Sequence, residues 1–192
     1  KRLLPGHPGK PHPVLGDRGH RALQSLQVRE IVLAQRDQDP VVGAREVELL
    51  GRRIVFVDPG FEPDELIDFI RGRDIKPTRI LLTHGHADHI AGINNLLAAW
   101  PGVPVCCPAD DAVMLTDAWA NLSATLGTPI TCPPPDELLS PGAVLDLNGM
   151  SWQVLDTSGH TAGGVSFYCP QAGTAITGDA LFAGGIGRTD FP

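Results

Sequence analysis

The chain has no apolar run longer than a few residues, so it offers no segment able to span a membrane. It has no CxxC spacing, and its four cysteines (Cys106, Cys107, Cys132 and Cys169) are few for a disulfide framework. That scarcity points to a reducing compartment. It has no excess of positive charge: 15 basic against 22 acidic residues leave a formal net charge of −7, a sign with no general attraction for a nucleic-acid backbone. No GxSxG occurs, which removes the signature of one large class of serine hydrolases. No internal repeat stands out, and no signal-peptide pattern opens the chain. The expectation is a cytoplasmic protein with a small-molecule substrate and with neither nucleic acid nor membrane as a partner.

Turn-forming residues are plentiful. The 192 residues include 22 Gly and 18 Pro, against 42% hydrophobic and 19% charged residues, a composition suited to one domain of many short elements. Strands are expected at 28–34, 45–50, 53–57, 78–82 and 103–107, and again at 143–147, 151–157, 164–169 and 174–177. Helices are expected from Pro63 to Gly72, from about Asp88 to Trp100, where Ile90, Ile93, Leu97 and Trp100 recur at helical spacing, and over 109–118. Interleaved strands and helices give a mixed α/β (α+β) fold.

The seven histidines are distributed unevenly. His84, His86 and His89 stand within six positions, His160 follows alone, and His7, His12 and His20 lie in the first twenty residues. The segment Thr83-His84-Gly85-His86-Ala87-Asp88-His89 combines three imidazoles and a carboxylate at a strand-to-helix turn, a donor set suited to Zn²⁺ and also to iron. His84 and His86 can point the same way from extended backbone, with Gly85 permitting close approach. Asp88 and His89, at the helix start, can face a second position a few ångströms away. By composition alone the HxHxDH pattern arises by chance about once in a thousand such chains. His160, in a Gly-rich turn between strands, would complete a three-histidine set with His84 and His86. Asp179, at a strand end, can bridge two cations.

The segments THGHADH, DPG (58–60), SGHTAGG (158–164) and TGDALFAGGIGRTDFP (177–192) resemble successive motifs of the metallo-β-lactamase superfamily, and the last is similar to its glyoxalase II-like, hydroxyacylglutathione hydrolase-like branch. The resemblance covers residues 28–192. It implies an αββα sandwich of two mixed β-sheets flanked by helices, with the site at one edge of the paired sheets. It implies one metal on His84, His86 and His160, a second on Asp88 and His89, Asp179 as the bridge, and Asp58 orienting a histidine ligand by hydrogen bonding. Two Zn²⁺ per chain are expected, with Fe or a mixed Fe/Zn pair as alternatives. A water shared by two such cations is acidified toward neutral pH, and Asp88 can orient it and accept its proton.

The family pattern continues beyond GRTD-(L/F)-P to a PGHG-like turn whose histidine completes the second site. Here Leu3-Leu4-Pro5-Gly6-His7-Pro8-Gly9, at the opposite end, resembles that turn. Two readings follow. Residues 1–27 are either a permuted C-terminal segment that brings His7 to the second metal, or a tail on a core of 28–192. Residues 1–192 are then read as a single domain. The expected reaction is metal-dependent hydrolysis of a thioester such as an acylglutathione. The alternative is a mononuclear iron persulfide dioxygenase, for which His84, His160 and Asp179 would form the facial set. Arg188 and Asp190 either bind substrate anions or form a structural ion pair.

Overall fold

The computed structural model describes residues 53–73 and 75–190. The strands expected at 28–34 and 45–50, together with His7, His12 and His20, lie outside the described residues. Strand β1 (Arg53–Val57) leads through a turn to helix α1 (Asp64–Arg71) and strand β2 (Lys76–Leu81). Two short helices follow, α2 (Ala87–Ile90) and α3 (Ile93–Ala99), and then β3 (Val105–Pro108) and β4 (Glu137–Leu139). Strands β5 (Val144–Leu147), β6 (Met150–Asp156), β7 (Val165–Cys169) and β8 (Thr174–Ile176) complete the set.

The strands form two sheets of order β1-β2-β3-β4 and β5-β6-β7-β8. The first is parallel throughout and the second antiparallel throughout. Among the described residues each sheet therefore has one sense, where mixed sheets were expected. Connection length explains the difference: long, partly helical crossovers join β1 to β4 and permit parallel pairing, whereas short turns join β5 to β8 and enforce hairpins.

Side-chain alternation in β1 divides the core. Ile54 and Phe56 join Ile67, Ile70, Ile80, Ile90, Ile93 and Leu96 in a cluster between the parallel sheet and the three helices. Val55 and Val57 point the opposite way and join Leu81, Trp152, Val154, Val165 and Phe167 between the sheets. A strand buried on both faces reads as a continuous apolar run, as Ile54-Val55-Phe56-Val57 does. Beyond the second sheet the outward residues of β6, Ser151, Gln153 and Leu155, are exposed. The three described α-helices supply buried side chains to the first cluster and none to the second. The described layers are thus helix, sheet and sheet.

Three local expectations change. The helix expected over 88–100 is interrupted at 91–92, where the His89 carbonyl accepts the Gly60 N–H at 3.3 Å; the approach is close enough that a Cβ on Gly92 would lie 2.6 Å from the Gly60 carbonyl oxygen. The segment expected as a helix over 109–118 is instead a 3₁₀ turn set, Ala109–Leu115, whose Asp111 side chain is committed to neighbouring turns. Strand β4 follows Pro133, Pro134 and Pro135, which mask it in the sequence; the prolines precede the strand rather than fall within its pairing, and among the described residues β4 pairs with β3 alone.

Candidate metal centre

Parallel strands deliver their C-terminal ends to one edge, where ligands collect in open α/β sheets. β1 ends at Val57 and releases Asp58; β2 ends at Leu81 and releases the 83–89 turn; β3 ends at Pro108 and releases Asp111. In the second sheet β6 and β8 run the same way as each other, and they release the turns carrying His160 and Asp179 at their ends. The Val165 N–H donates to the Thr83 carbonyl at 2.9 Å, tying the two sheets together at this edge.

Six residues expected at the site, His84, His86, Asp88, His89, His160 and Asp179, are brought together. Ligand atoms of His84, His86 and His160 lie within 4.8 Å of one another, and so do those of His84, His89 and Asp179. His84 therefore belongs to both groups. Asp179 faces both: its Oδ1 is 3.2 Å from His89 Nε2 and its Oδ2 is 3.4 Å from His160 Nε2. Asp88 Oδ2 lies 3.7 Å from His89 Nε2, and with a side chain 53% exposed it is the most open carboxylate of the set. His86 Nδ1 and His160 Nε2 approach to 2.9 Å.

The remaining ring nitrogens are held from behind. His160 Nδ1–H donates to the Arg188 carbonyl at 2.9 Å, which turns Nε2 inward. His84 Nδ1 lies 3.1 Å from the Thr83 hydroxyl, which itself donates to Asp58 Oδ2 at 2.7 Å. Asp58 also accepts the Thr83 N–H at 2.8 Å and lies 3.1 Å from His89 Nδ1. That last approach is off the hydrogen-bonding direction and acts as a charge contact. Asp58 thus reaches His84 through the Thr83 hydroxyl rather than by the direct hydrogen bond to a histidine that was expected. Asp58 occupies the left-handed region, with φ 47°, a conformation Asp adopts more readily than most residues.

Electrostatics divide the histidines. Burial, followed by the neighbouring rings of His89, His86 and His160, holds His84 well below its ordinary value, and burial with His160 lowers His86. Both are neutral imidazoles at pH 7, the form that donates a lone pair to a metal. Burial also pulls His89 down, but the carboxylates of Asp179 and Asp58 outweigh it and push the ring up to about 10. Burial works against ionisation of Asp179, yet His89 and then His160 hold its carboxyl below the usual range.

Two buried residues that sequence reasoning passed over brace the site. Asp111 is 1% exposed and accepts bonds from Gly85, Thr161 and Gly163. Asn121, fully buried, accepts the Ala87 N–H on its carbonyl at 3.1 Å, which satisfies a donor at the start of α2. A polar residue at each, in a segment dense in Asp, carried no periodic signal. Arg188 and Asp190 form an exposed two-point ion pair at 2.8 and 3.0 Å. Among the described residues no helix is long and apolar enough to cross a membrane.

The residues present fit a metal. His84 Nε2 is buried with no hydrogen-bond partner among the described residues, a costly state that a cation on that nitrogen relieves. Imidazoles and carboxylates are the donors Zn²⁺ and iron accept. A parallel and an antiparallel sheet share a histidine- and aspartate-lined edge, and the family model described as the Metallo-beta-lactamase superfamily matches residues 48–192. The chain belongs to the metallo-beta-lactamase superfamily. It is 38% identical over 134 residues to the "Probable metallo-hydrolase YqgX" of Bacillus subtilis, covering 69% of this chain and 63% of that protein. It is 35% identical over 143 residues to the "Hydroxyacylglutathione hydrolase GloC" of Haemophilus influenzae, covering 73% and 67%. Its fold matches the crystal structure of the BLEG-1 B3 metallo-beta-lactamase with a TM-score of 0.69 at 34% identity, over 73% of this chain and 68% of that one. The chain thus spans 63–67% of the length of these two curated relatives.

Proposed function

We propose that the protein is a metal-dependent hydrolase of thioesters, with an acylglutathione as its substrate class. One observation carries the metal chemistry: Asp179 presents one oxygen to His89 and the other to His160, between two groups that both include His84, whose Nε2 is buried with no hydrogen-bond partner among the described residues. The substrate class is supported by the similarity to the relative named as a hydroxyacylglutathione hydrolase. His84, His86 and His160 would hold one cation and Asp88 and His89 the other, with Asp179 shared; two Zn²⁺, two Fe or a mixed pair suit these donors. The same reading takes residues 1–192 as one domain and assigns His7, in the segment 1–27, as a further ligand.

Bound cations of this kind supply Lewis acidity, acidifying a water and polarising a carbonyl. The chain's own residues do the rest. The Arg188 carbonyl orients the His160 ring, and Thr83, held by Asp58, orients that of His84, which lessens the rearrangement a ligand demands. Asp88, open to solvent beside His89, orients the attacking water and accepts its proton on Oδ2. The acyl C–S bond breaks, and the products are a carboxylic acid and a free thiol.

The test is metal analysis of the purified chain combined with assays on an acylglutathione, a β-lactam and glutathione persulfide. Thiol release from the acylglutathione is expected. Metal-loaded protein that leaves thioesters intact but consumes O₂ with the persulfide overturns this reading in favour of the iron dioxygenase, and β-lactam turnover alone overturns it in favour of a lactamase.

A further inference from the structure

Asp111 stands on the 3₁₀ turn set Ala109–Leu115, which supplies none of the candidate ligands, yet its carboxylate reaches two of the turns that do. Oδ2 accepts the Gly85 N–H at 3.1 Å and the Thr161 hydroxyl at 2.7 Å, and Oδ1 accepts the Gly163 N–H at 2.8 Å. Gly85 separates His84 from His86, and Thr161 follows His160. The fit leaves no space for a side chain at either glycine. A Cβ on Gly85 would lie 2.6 Å from Met114 Cβ, and one on Gly163 would lie 2.7 Å from Asp111 Oδ1.

We propose that Asp111 is a positioning residue: it clamps the 84–86 turn to the 160–163 turn, setting His84, His86 and His160 at metal-binding separation before a cation arrives. The chemistry of the position favours a carboxylate. Three donors converge on two oxygens, and bonds to an ionised acceptor are the stronger kind. Asparagine would turn an amide N–H₂ toward one of those donors, leaving a buried clash of donors. The benefit to binding is preorganisation, since ligands already in place lose less freedom when the metal binds. Asp111 acts through the backbone and Thr161, not by touching the metal or substrate.

The inference rests on the metal-centre reading, and one set of titrations separates the two. Zn²⁺ affinity of the full chain is measured by competition with a chromophoric chelator for wild type, Asp111→Asn, Thr161→Val and Thr161→Ser, and the visible spectrum of each Co²⁺-loaded form is recorded. Asp111→Asn is expected to weaken Zn²⁺ binding by about 10- to 100-fold, the range for groups that orient metal ligands, and to alter the Co²⁺ bands. Thr161→Val is expected to weaken binding less, and Thr161→Ser, which keeps the hydroxyl, to stay near wild type. If Asp111→Asn does not fold, the Val and Ser variants decide. Unchanged affinity and spectrum in folded Asp111→Asn, or indistinguishable Val and Ser variants, overturn the role of Asp111 alone. A wild type that binds no Zn²⁺ overturns the metal-centre reading with it.

Discussion

Asp58 Oδ2 lies 3.1 Å from His89 Nδ1, so the left-handed residue that follows β1 sets its charge against the last histidine of the HxHxDH turn. The same carboxylate accepts the Thr83 N–H and hydroxyl. Asp58→Ala strands both buried donors and removes the countercharge of His89; a loss of about 2–4 kcal/mol of stability is expected in the metal-free chain. Asp58→Asn tolerates the positive φ and keeps one acceptor, so its loss should be smaller. Denaturant unfolding of both variants measures this, and a change below about 0.5 kcal/mol for the Ala variant contradicts the assignment.

Asp179 faces both ligand groups, whereas His160 belongs to one. Asp179→Ala should therefore lower the occupancy of both metals, and His160→Ala mainly that of one. Metal content per chain, determined by elemental analysis after dialysis against a weak chelator, distinguishes these. Equal losses in the two variants would remove the shared position of Asp179. His7→Ala in the same series should lower one metal only if the segment 1–27 reaches the centre, and unchanged stoichiometry excludes His7 as a ligand.

The histidines should load with different proton balances. His84 and His86 are held below their ordinary values, chiefly by burial, and already lack the competing proton at pH 7. His89 is pushed up to about 10, so at pH 7 a cation there must displace a proton, and its affinity should rise as pH rises toward that value. The sign for the metal-free fold is the reverse. A raised folded-state value contributes stability that is full below the ordinary 6.5 and is lost as pH climbs through about 10. Calorimetric Zn²⁺ titrations in buffers of different ionisation enthalpy should show proton release that the His89→Gln variant lacks. Identical release in the two proteins would contradict it.

Gly178 precedes Asp179 at φ 48°, and a Cβ there would overlap Thr83 Oγ1. Gly178→Ala should be severely destabilising, because the clash falls on the hydroxyl that orients His84. Gly102 has φ 86° with nothing within 4 Å of its would-be Cβ. Gly102→Ala should cost only the left-handed penalty of about 1–2 kcal/mol. Thermal unfolding of the pair checks this, and equal effects would contradict it.

Local pattern made some of this centre legible and hid the rest. The ligands clustered in THGHADH could be read because three imidazoles fall within one turn, and His160 and Asp179 because each closes a strand with a Gly-rich turn. The continuous apolar run of β1 and the alternation of β6 likewise announced their burial. Asp111 and Asn121 could not be read so. A brace is defined by which distant donors it meets, and nothing in Ala109-Asp110-Asp111 specifies Gly85 and Gly163. The break at 91–92 is of the same kind: periodicity carried the helix on to Trp100, while the hydrogen bond that diverts the His89 carbonyl comes from Gly60. β4 was masked by the three prolines that precede it, because the strand that follows them is only 3 residues long.

The central claim is a two-cation centre built on His84, His86, Asp88, His89, His160 and Asp179. Crystals of the full chain grown with Zn²⁺ and measured on both sides of the zinc absorption edge test it directly. The account predicts two anomalous peaks, one among His84, His86 and His160 and one at Asp88 and His89, with Asp179 between them. An absence of peaks at these residues in metal-replete crystals, or strong peaks only elsewhere on the molecule, would contradict it.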